Sequence, residues 1–209
     1  MYTPPHFAED DPDVLTALMA RFNFALLVTA ADGAPHGTHL PLYLEAGGGA
    51  HGTLYGHVAR ANDHWRRFDG KTQAMAVFQG PHHYISPNWY ENQGLVPTWN
   101  YAAIHAYGKP QAIEDAGETV DILWRLVEAN ETADTGNWSM RKLASEAVQK
   151  QIKGIVAFRM PIERIEGKFK MSQNRDAGDA LSAAKAVRAT GHADADLVAA
   201  EMEARAKRG

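Results

Sequence analysis

The chain has no cysteine, which excludes disulfides, thiolate metal sites and cysteine nucleophiles. No apolar run approaches the roughly 20 residues that span a bilayer. The start, Met1-Tyr2-Thr3-Pro4-Pro5-His6-Phe7, lacks the basic residues and apolar stretch of a signal peptide. A cytoplasmic protein without membrane segments is therefore expected. Positive charge is also scarce. With 21 Lys and Arg against 25 Asp and Glu, the formal net charge is -4, which gives no general attraction to nucleic acid or anionic lipid. The phosphate loop GxxxxGK[ST], the dinucleotide fingerprint GxGxxG, the zinc pair HExxH and a Ser-His-Asp order are all missing, and Gly47-Gly48-Gly49 is not followed by the helix a phosphate loop needs. No metal site is expected, because the many histidines fall at no ligand spacing and His82-His83 on a strand would face opposite sides.

What remains is ample core material. Of 209 residues, 45% are hydrophobic, enough for a single domain over 1–209 that ends in an alanine-rich helical tail at 174–208. Asp10-Asp11-Pro12-Asp13 opens a helix whose stripe runs through Val14, Leu15, Leu18, Met19 and Phe22. Strands are expected at Phe24–Thr29, Pro35–Glu45, Gly52–Val58 and Thr72–Gln79, with a hairpin turn at Asp32-Gly33. Asn62 caps a short helix over Asp63–Phe68. Residues 80–95 read as irregular, Thr98–Ile113 as one bent strand, Gly117–Asn130 and Ser139–Ile152 as helices, and Gly154–Phe169 as a long strand bent or broken at Pro161 and Gly167. The first four strands leave no room for crossover helices. The pattern therefore predicts a closed antiparallel barrel with helices outside it, an α+β protein of mainly β character.

Three segments carry candidate chemistry. His57-Val58-Ala59-Arg60-Ala61-Asn62 runs from a strand end into a helix start, where free N–H groups and a guanidinium suit phosphate. Val96-Pro97-Thr98-Trp99-Asn100-Tyr101 puts Trp99 and Tyr101 on one strand face and Asn100 on the other, offering flat rings that serve either a core or a ligand. Lys168-Phe169-Lys170-Met171-Ser172-Gln173-Asn174-Arg175 gathers cations before a helix that Ser172 or Asn174 would cap. That cluster suits an anion, a nucleic-acid backbone or solvent alone. A flat, anionic cofactor fits the three together, and a flavin phosphate leads.

The order of Met1–Phe7, Thr38-His39-Leu40-Pro41, Gly52–Trp65, Phe78–Tyr90, Pro97–Gly108 and Ile162–Arg175 resembles the PaiB-type FMN-binding proteins across nearly the whole chain. The resemblance implies a six-stranded antiparallel split barrel and a homodimer with two FMN sites at its interface. It also implies a role as a negative transcriptional regulator of protease production and sporulation, with a DNA or protein partner. No helix-turn-helix is visible. A DNA mode would need Lys168, Lys170, Arg175, Arg188, Arg205, Lys207 and Arg208 on one exposed face. An FMN-dependent oxidoreductase acting on a small substrate is the alternative. Haem is a second one, with His57 or His39 as axial ligand, since related split barrels hold haem or a deazaflavin. Carried over residue by residue, Thr38, His39 and Leu40 would meet the ring edge, and His57, Val58, Ala59, Arg60 and Asn62 the phosphate end. Trp99, Asn100 and Tyr101 would border the isoalloxazine, from this chain or a second subunit. Lys170, Gln173, Asn174 and Arg175 would close the site.

Overall fold

The computed structural model describes residues 1–31 and 33–207; the expected turn residue Asp32 and the expected DNA-facing Arg208 lie outside them. Strands β1 (Ala8–Glu9), β2 (Phe24–Ala31), β3 (Ala34–Pro41), β4 (Tyr43–Glu45), β5 (Thr53–Ala59), β6 (Ala74–Ile85), β7 (Thr98–Gly108), β8 (Gln111–Ile113) and β9 (Ile155–Lys170) alternate with helices α1 (Pro12–Arg21), α2 (Ala116–Asn130), α3 (Ser145–Ile152), α4 (Ala177–Ala189) and α5 (Ala195–Ala206). The sheet order is β3-β2-β6-β7-β9-β5-β4, with β1 and β8 pairing on β9. Every strand pair with a stated register is antiparallel. Six strands are long and three are only two or three residues, so the expected six-stranded antiparallel framework with peripheral helices is present.

The chain divides into two compact units. One comprises Met1–Leu15, Gln79–Ile104 and the chain from Glu166 on, and the other Thr16–Phe78 and His105–Ile165. In the second unit, β3 and β4 lie at opposite ends of the strand order, yet only Leu42 separates them in sequence. Three consecutive Cα atoms span at most about 7 Å, so the end of β3 and the start of β4 meet at this point. Leu42 is the corner. Its N–H donates to the Asn23 carbonyl at 2.9 Å, and its side chain is buried. A Cβ on Gly56 would come within 2.8 Å of that side chain and 3.2 Å of the Phe158 ring, so β5 needs glycine there for the wall to approach. Leu27, Leu40, Leu54, Val58, Phe68, Phe78 and Phe158 fill the interior. On the outer face, Ile122 and Leu126 of α2 pack on Ala157, flanked by Tyr43, Tyr55 and Ile113.

The first unit holds the far halves of β6 and β7, the end of β9 and a helical hairpin that turns at Gly191. Alanines 180, 183 and 184 of α4 and Ala195, Val198 and Ala199 of α5 are buried, and small side chains let two helices approach closely. Arg205 of α5 pairs with Glu9 at 2.8 Å, both nearly buried.

Several sequence expectations are corrected here. Pro35–Glu45 is two strands, because Pro41 has no N–H to continue a ladder and Leu42 gives its own to Asn23. The supposedly irregular stretch after Gln79 continues β6 through Pro81 to Ile85. Thr98–Ile113 breaks into β7 and β8 at Lys109-Pro110. The helix expected over Ser139–Ile152 is a 3-10 turn, Met140–Lys142, followed by α3, because Leu143 and Ala144 are extended. β9, in contrast, is unbroken. Pro161 sits opposite Thr53, the first residue of β5, where a missing donor costs least.

Candidate functional site

Each unit gathers one set of the expected site residues, and each set is described within its own unit. In the second unit, strand pairing sets Leu27 opposite Thr38 and Ala25 opposite Leu40. Leu40 is buried and Thr38 half-buried, whereas His39 falls on the other face, exposed and stacked on Phe24 with ring centroids 6.0 Å apart. The three residues implied for the ring edge are therefore split between two faces. On β5, Val58 is buried in the core and Ala59 is exposed at the strand end. His57 is half-buried on the face opposite Leu54, Gly56 and Val58. Its Nδ1 is buried with no hydrogen-bond partner among the described residues, and burial pushes its pKa below the usual histidine value. The ring is therefore neutral at neutral pH and keeps one free polar atom.

Arg60 leaves the end of β5 with its backbone N–H on the Gly154 carbonyl at 2.8 Å. Its guanidinium turns back onto the start of β9, Nε donating to the Lys153 carbonyl and Nη2 to the Ile155 carbonyl, each at 2.9 Å. The carbonyl of Arg60 accepts the Trp65 indole N–H. The fork is thus clamped through Nε and one Nη2 hydrogen, leaving the Nη1 edge for a ligand. Arg60 and Trp65 border a cleft of about 330 Å³ floored by Ile113, Val156 and Ala157. Asn62 caps the 3-10 turn Asp63–Arg67 as expected, its Oδ1 accepting the His64 N–H at 3.1 Å. Its Nδ2 donates to Thr38 Oγ1 at 3.1 Å. Asn62→Ala is expected to destabilise the fold by about 1 kcal/mol, the usual value of a lost cap, read as a lowered thermal midpoint.

The histidine that sequence reasoning passed over is His64. Its sequence position assigned it no role; the structure buries it completely between Thr29 and Thr38. The Asn-x-His spacing of the cap was its one local signal.

In the first unit the expected alternation holds. Trp99 is 54% exposed and Asn100 fully buried, while Tyr101 is half-buried. Asn100 Nδ2 donates to Ser172 Oγ at 2.9 Å. Its Oδ1 has no partner among the described residues although it is buried. Ser172 is buried with φ of 68°, a left-handed turn that non-glycine residues adopt at a cost. It does not cap α4. Nor does Asn174, which is exposed; the N-cap is Asp176, with no side-chain bond to the helix. Gln173 instead braces the turn, accepting from Met171 N–H at 2.6 Å and donating to the Phe169 carbonyl.

The cations of this set are close together and lack carboxylate partners among the described residues. Lys168 is buried, donates to the Tyr2 carbonyl at 3.0 Å and stands 5.2 Å from the Tyr101 ring. Lys170 donates to Thr98 Oγ1 and to the Trp99 carbonyl. Arg175 lies over Tyr90. Burial, then the charges of Lys168 and Arg175, hold the Lys170 pKa below the ordinary lysine value. Two of the other cations that a DNA face would require, Arg188 and Arg205, are engaged elsewhere. Arg188 pairs with Glu203 and Asp196, and Arg205 with Glu9 and Glu201. Among the described residues, no group of three or more His, Asp or Glu side chains could hold a metal, and no helix is long and apolar enough to cross a membrane.

A family model described as "Putative FMN-binding domain" matches residues 1–164. The chain is 33% identical over 208 residues to the protease synthase and sporulation protein PAI 2 of Bacillus subtilis (strain 168), covering 100% of this chain and 99% of that one. Among solved structures, the flavocytochrome Anf3 from Azotobacter vinelandii is similar with a TM-score of 0.60 at 13% identity, over 78% of this chain and 69% of that one. The FAD and haem binding protein from Mycobacterium smegmatis has a TM-score of 0.56 at 13% identity, over 78% and 73% of the two chains. At these identities the likeness is one of fold.

Proposed function

This chain belongs to the PaiB-type FMN-binding family, and from that premise we propose that it binds FMN as a homodimer through the two residue sets described above. The observation that carries the reading is the group Lys168, Lys170 and Arg175, three cations with no ion-pair partner among the described residues, in the same unit that holds the buried, unpartnered Asn100 Oδ1. Such a group is complementary to an anion that also brings hydrogen-bond donors. FMN does so through its phosphate, its ribityl hydroxyls and the ring N–H.

Arg60, through its free Nη1 edge, is a proposed contact to flavin phosphate, and Lys170 is another. Asn62 and His57 line the same end. Thr38 meets the ring edge, and Trp99 and Tyr101 border the ring, supplied by the second subunit. Homodimerisation is supported by the exposed apolar residues Phe24, Tyr84 and Trp99, of 66%, 42% and 54% exposure, which an isolated chain would leave in water. Bound flavin supplies hydride and one-electron chemistry; the protein's part is to hold and orient it.

The regulatory role implied by the family is proposed to act without a direct DNA contact, because Lys168 is buried and Arg188 and Arg205 are already paired. The same observation favours the second reading, an FMN-dependent oxidoreductase acting on a small substrate in the cytoplasm. FMN titration followed by flavin fluorescence and thermal melting tests the cofactor; unchanged fluorescence and midpoint would refute it, and a Soret band on haem addition would replace it. Sedimentation showing only monomer would refute the dimer. A gel shift at physiological salt, set beside NAD(P)H oxidation with FMN, separates the regulator from the enzyme.

Trp99→Ala is expected to weaken FMN and riboflavin equally, by about threefold to tenfold, the range of one aromatic contact of about 0.5–1.5 kcal/mol. Titrating both ligands checks it, since both present the same ring.

A further inference from the structure

His64 sits in a chain of side-chain hydrogen bonds that assigns its proton. Asn62 Oδ1 accepts the backbone N–H of His64, so the atom that Asn62 turns toward Thr38 is Nδ2, a donor. Thr29 is fully buried, and among the described residues its hydroxyl meets one partner, His64 Nε2 at 3.0 Å. A buried O–H without an acceptor keeps its full desolvation penalty, whereas an unused lone pair costs less. Thr29 therefore donates, and Nε2 is the bare nitrogen. The neutral ring then carries its hydrogen on Nδ1, 2.8 Å from Thr38 Oγ1. Separately, burial, the neighbouring His36 and Arg67 push the His64 pKa down to about 4, so the ring is neutral at neutral pH.

We propose that His64 is a positioning residue that holds its proton on Nδ1 and so makes the Thr38 hydroxyl a fixed donor to an acceptor atom of the bound ligand. A hydroxyl has one hydrogen and two lone pairs. At Thr38 both lone pairs are filled, one by Asn62 Nδ2–H and one by His64 Nδ1–H. Its hydrogen has no acceptor among the described residues, and the residue is half-buried rather than sealed. The ligand atom it selects is an acceptor, such as a ring carbonyl oxygen or an unprotonated ring nitrogen; an N–H at that position would face another donor. The proposal rests on the reading of Thr38 as a flavin contact, and it adds the direction of that contact and the residue that enforces it.

The test has two arms. With 15N-labelled histidine, the ring nitrogen shifts of His64, identified by their loss in His64→Gln, are expected to show Nδ1 protonated and Nε2 bare at neutral pH. In titrations, Thr38→Val is expected to lose about threefold to tenfold in affinity for both FMN and riboflavin, one neutral hydrogen bond. Thr38→Ser, which keeps the hydroxyl, retains wild-type affinity. A thermal melt on each variant separates lost binding from lost folding. Protonation on Nε2 overturns the proposal, and so does a folded Thr38→Val that binds flavin as the wild type does. If the wild type binds neither flavin, the FMN reading falls, and the ring shifts alone decide the orientation of the chain of hydrogen bonds.

Discussion

In Arg60→Ala, FMN affinity is expected to fall ten- to a hundredfold while riboflavin affinity stays within about twofold. A guanidinium–phosphate contact contributes about 1.5–3 kcal/mol, and each decade of affinity is about 1.4 kcal/mol; riboflavin has no phosphate to lose. The clamp of Arg60 on the Lys153 and Ile155 carbonyls has two consequences. It pre-orients the Nη1 edge, so little side-chain entropy is lost when phosphate arrives. It also means that the alanine variant loosens the start of β9, and its melting midpoint should drop even without ligand. Arg60→Lys should recover part of the affinity, since a point charge remains but the fork does not.

Lys170→Met should reduce FMN affinity more weakly and carry a pH signature. Bound phosphate favours the charged amine, whose pKa in the free protein is held low by burial, Lys168 and Arg175. Wild-type affinity should therefore be full below that pKa and decline as pH rises through it, and the decline should vanish in Lys170→Met. Equal losses of FMN and riboflavin in Arg60→Ala would move that residue to the ring and reverse the proposed orientation of the flavin.

Acid should destabilise the protein by about 3 kcal/mol through His64 alone. Its pKa is about 4 in the fold against 6.5 in the unfolded chain, and each unit of difference is worth about 1.4 kcal/mol. The sign follows from which state takes the proton first. Above 6.5 both states are neutral and the stabilisation is fully present. Between 6.5 and about 4 the unfolded chain is protonated and the fold is not, so stability drops with pH. Below about 4 the loss is complete. Urea midpoints measured across this range should fall steeply in the wild type and less steeply in His64→Gln, which starts lower because it loses the bonds to Thr29 and Thr38. His57 acts in the same direction, so His57→Gln serves as the second arm. A wild-type curve with no slope beyond that of His64→Gln would remove the buried neutral ring from the account.

The framework was readable because it rests on local signals. The stripe of α1, the alternation of β5 and the Asn62 cap are all set by residues within a turn or two of each other. What escaped depended on partners distant in sequence. Pro41 announced that a ladder could not continue, but not that Leu42 would give its N–H to Asn23 and turn the chain to the opposite edge. Pro81 and Pro161 looked like breaks and are not, because each one's effect depends on which neighbour it faces. At the site, alternation placed Asn100 and Trp99 on opposite faces as found, and motif order suggested Arg60 and Lys170 as ligand contacts. It could not reveal that Arg60 spends two donor groups on its own backbone, since those carbonyls lie about ninety residues away. Nor could it reveal that His64 is buried. A histidine on a charged 3-10 turn, beside Asp63, Arg66 and Arg67, looks exposed until the threonines of two other strands are brought to its ring.

The one-residue corner at Leu42 also bears on the order in which the chain acquires its structure. Strands β2 and β3 are neighbours in sequence as well as in the sheet and can zip within microseconds. β5 pairs on one side with the adjacent β4, but its other edge finds its partner in β9, about a hundred residues later. A ribosome adding about 5–20 residues per second leaves that edge bare for several seconds. Pairing of β5 with β9 is therefore a late, high-contact-order event that sets the refolding rate. Until it happens, the exposed strands are open to pairing with another nascent copy. Yield on expression should thus respond more to lower temperature and slower synthesis than the stability of the finished protein would suggest.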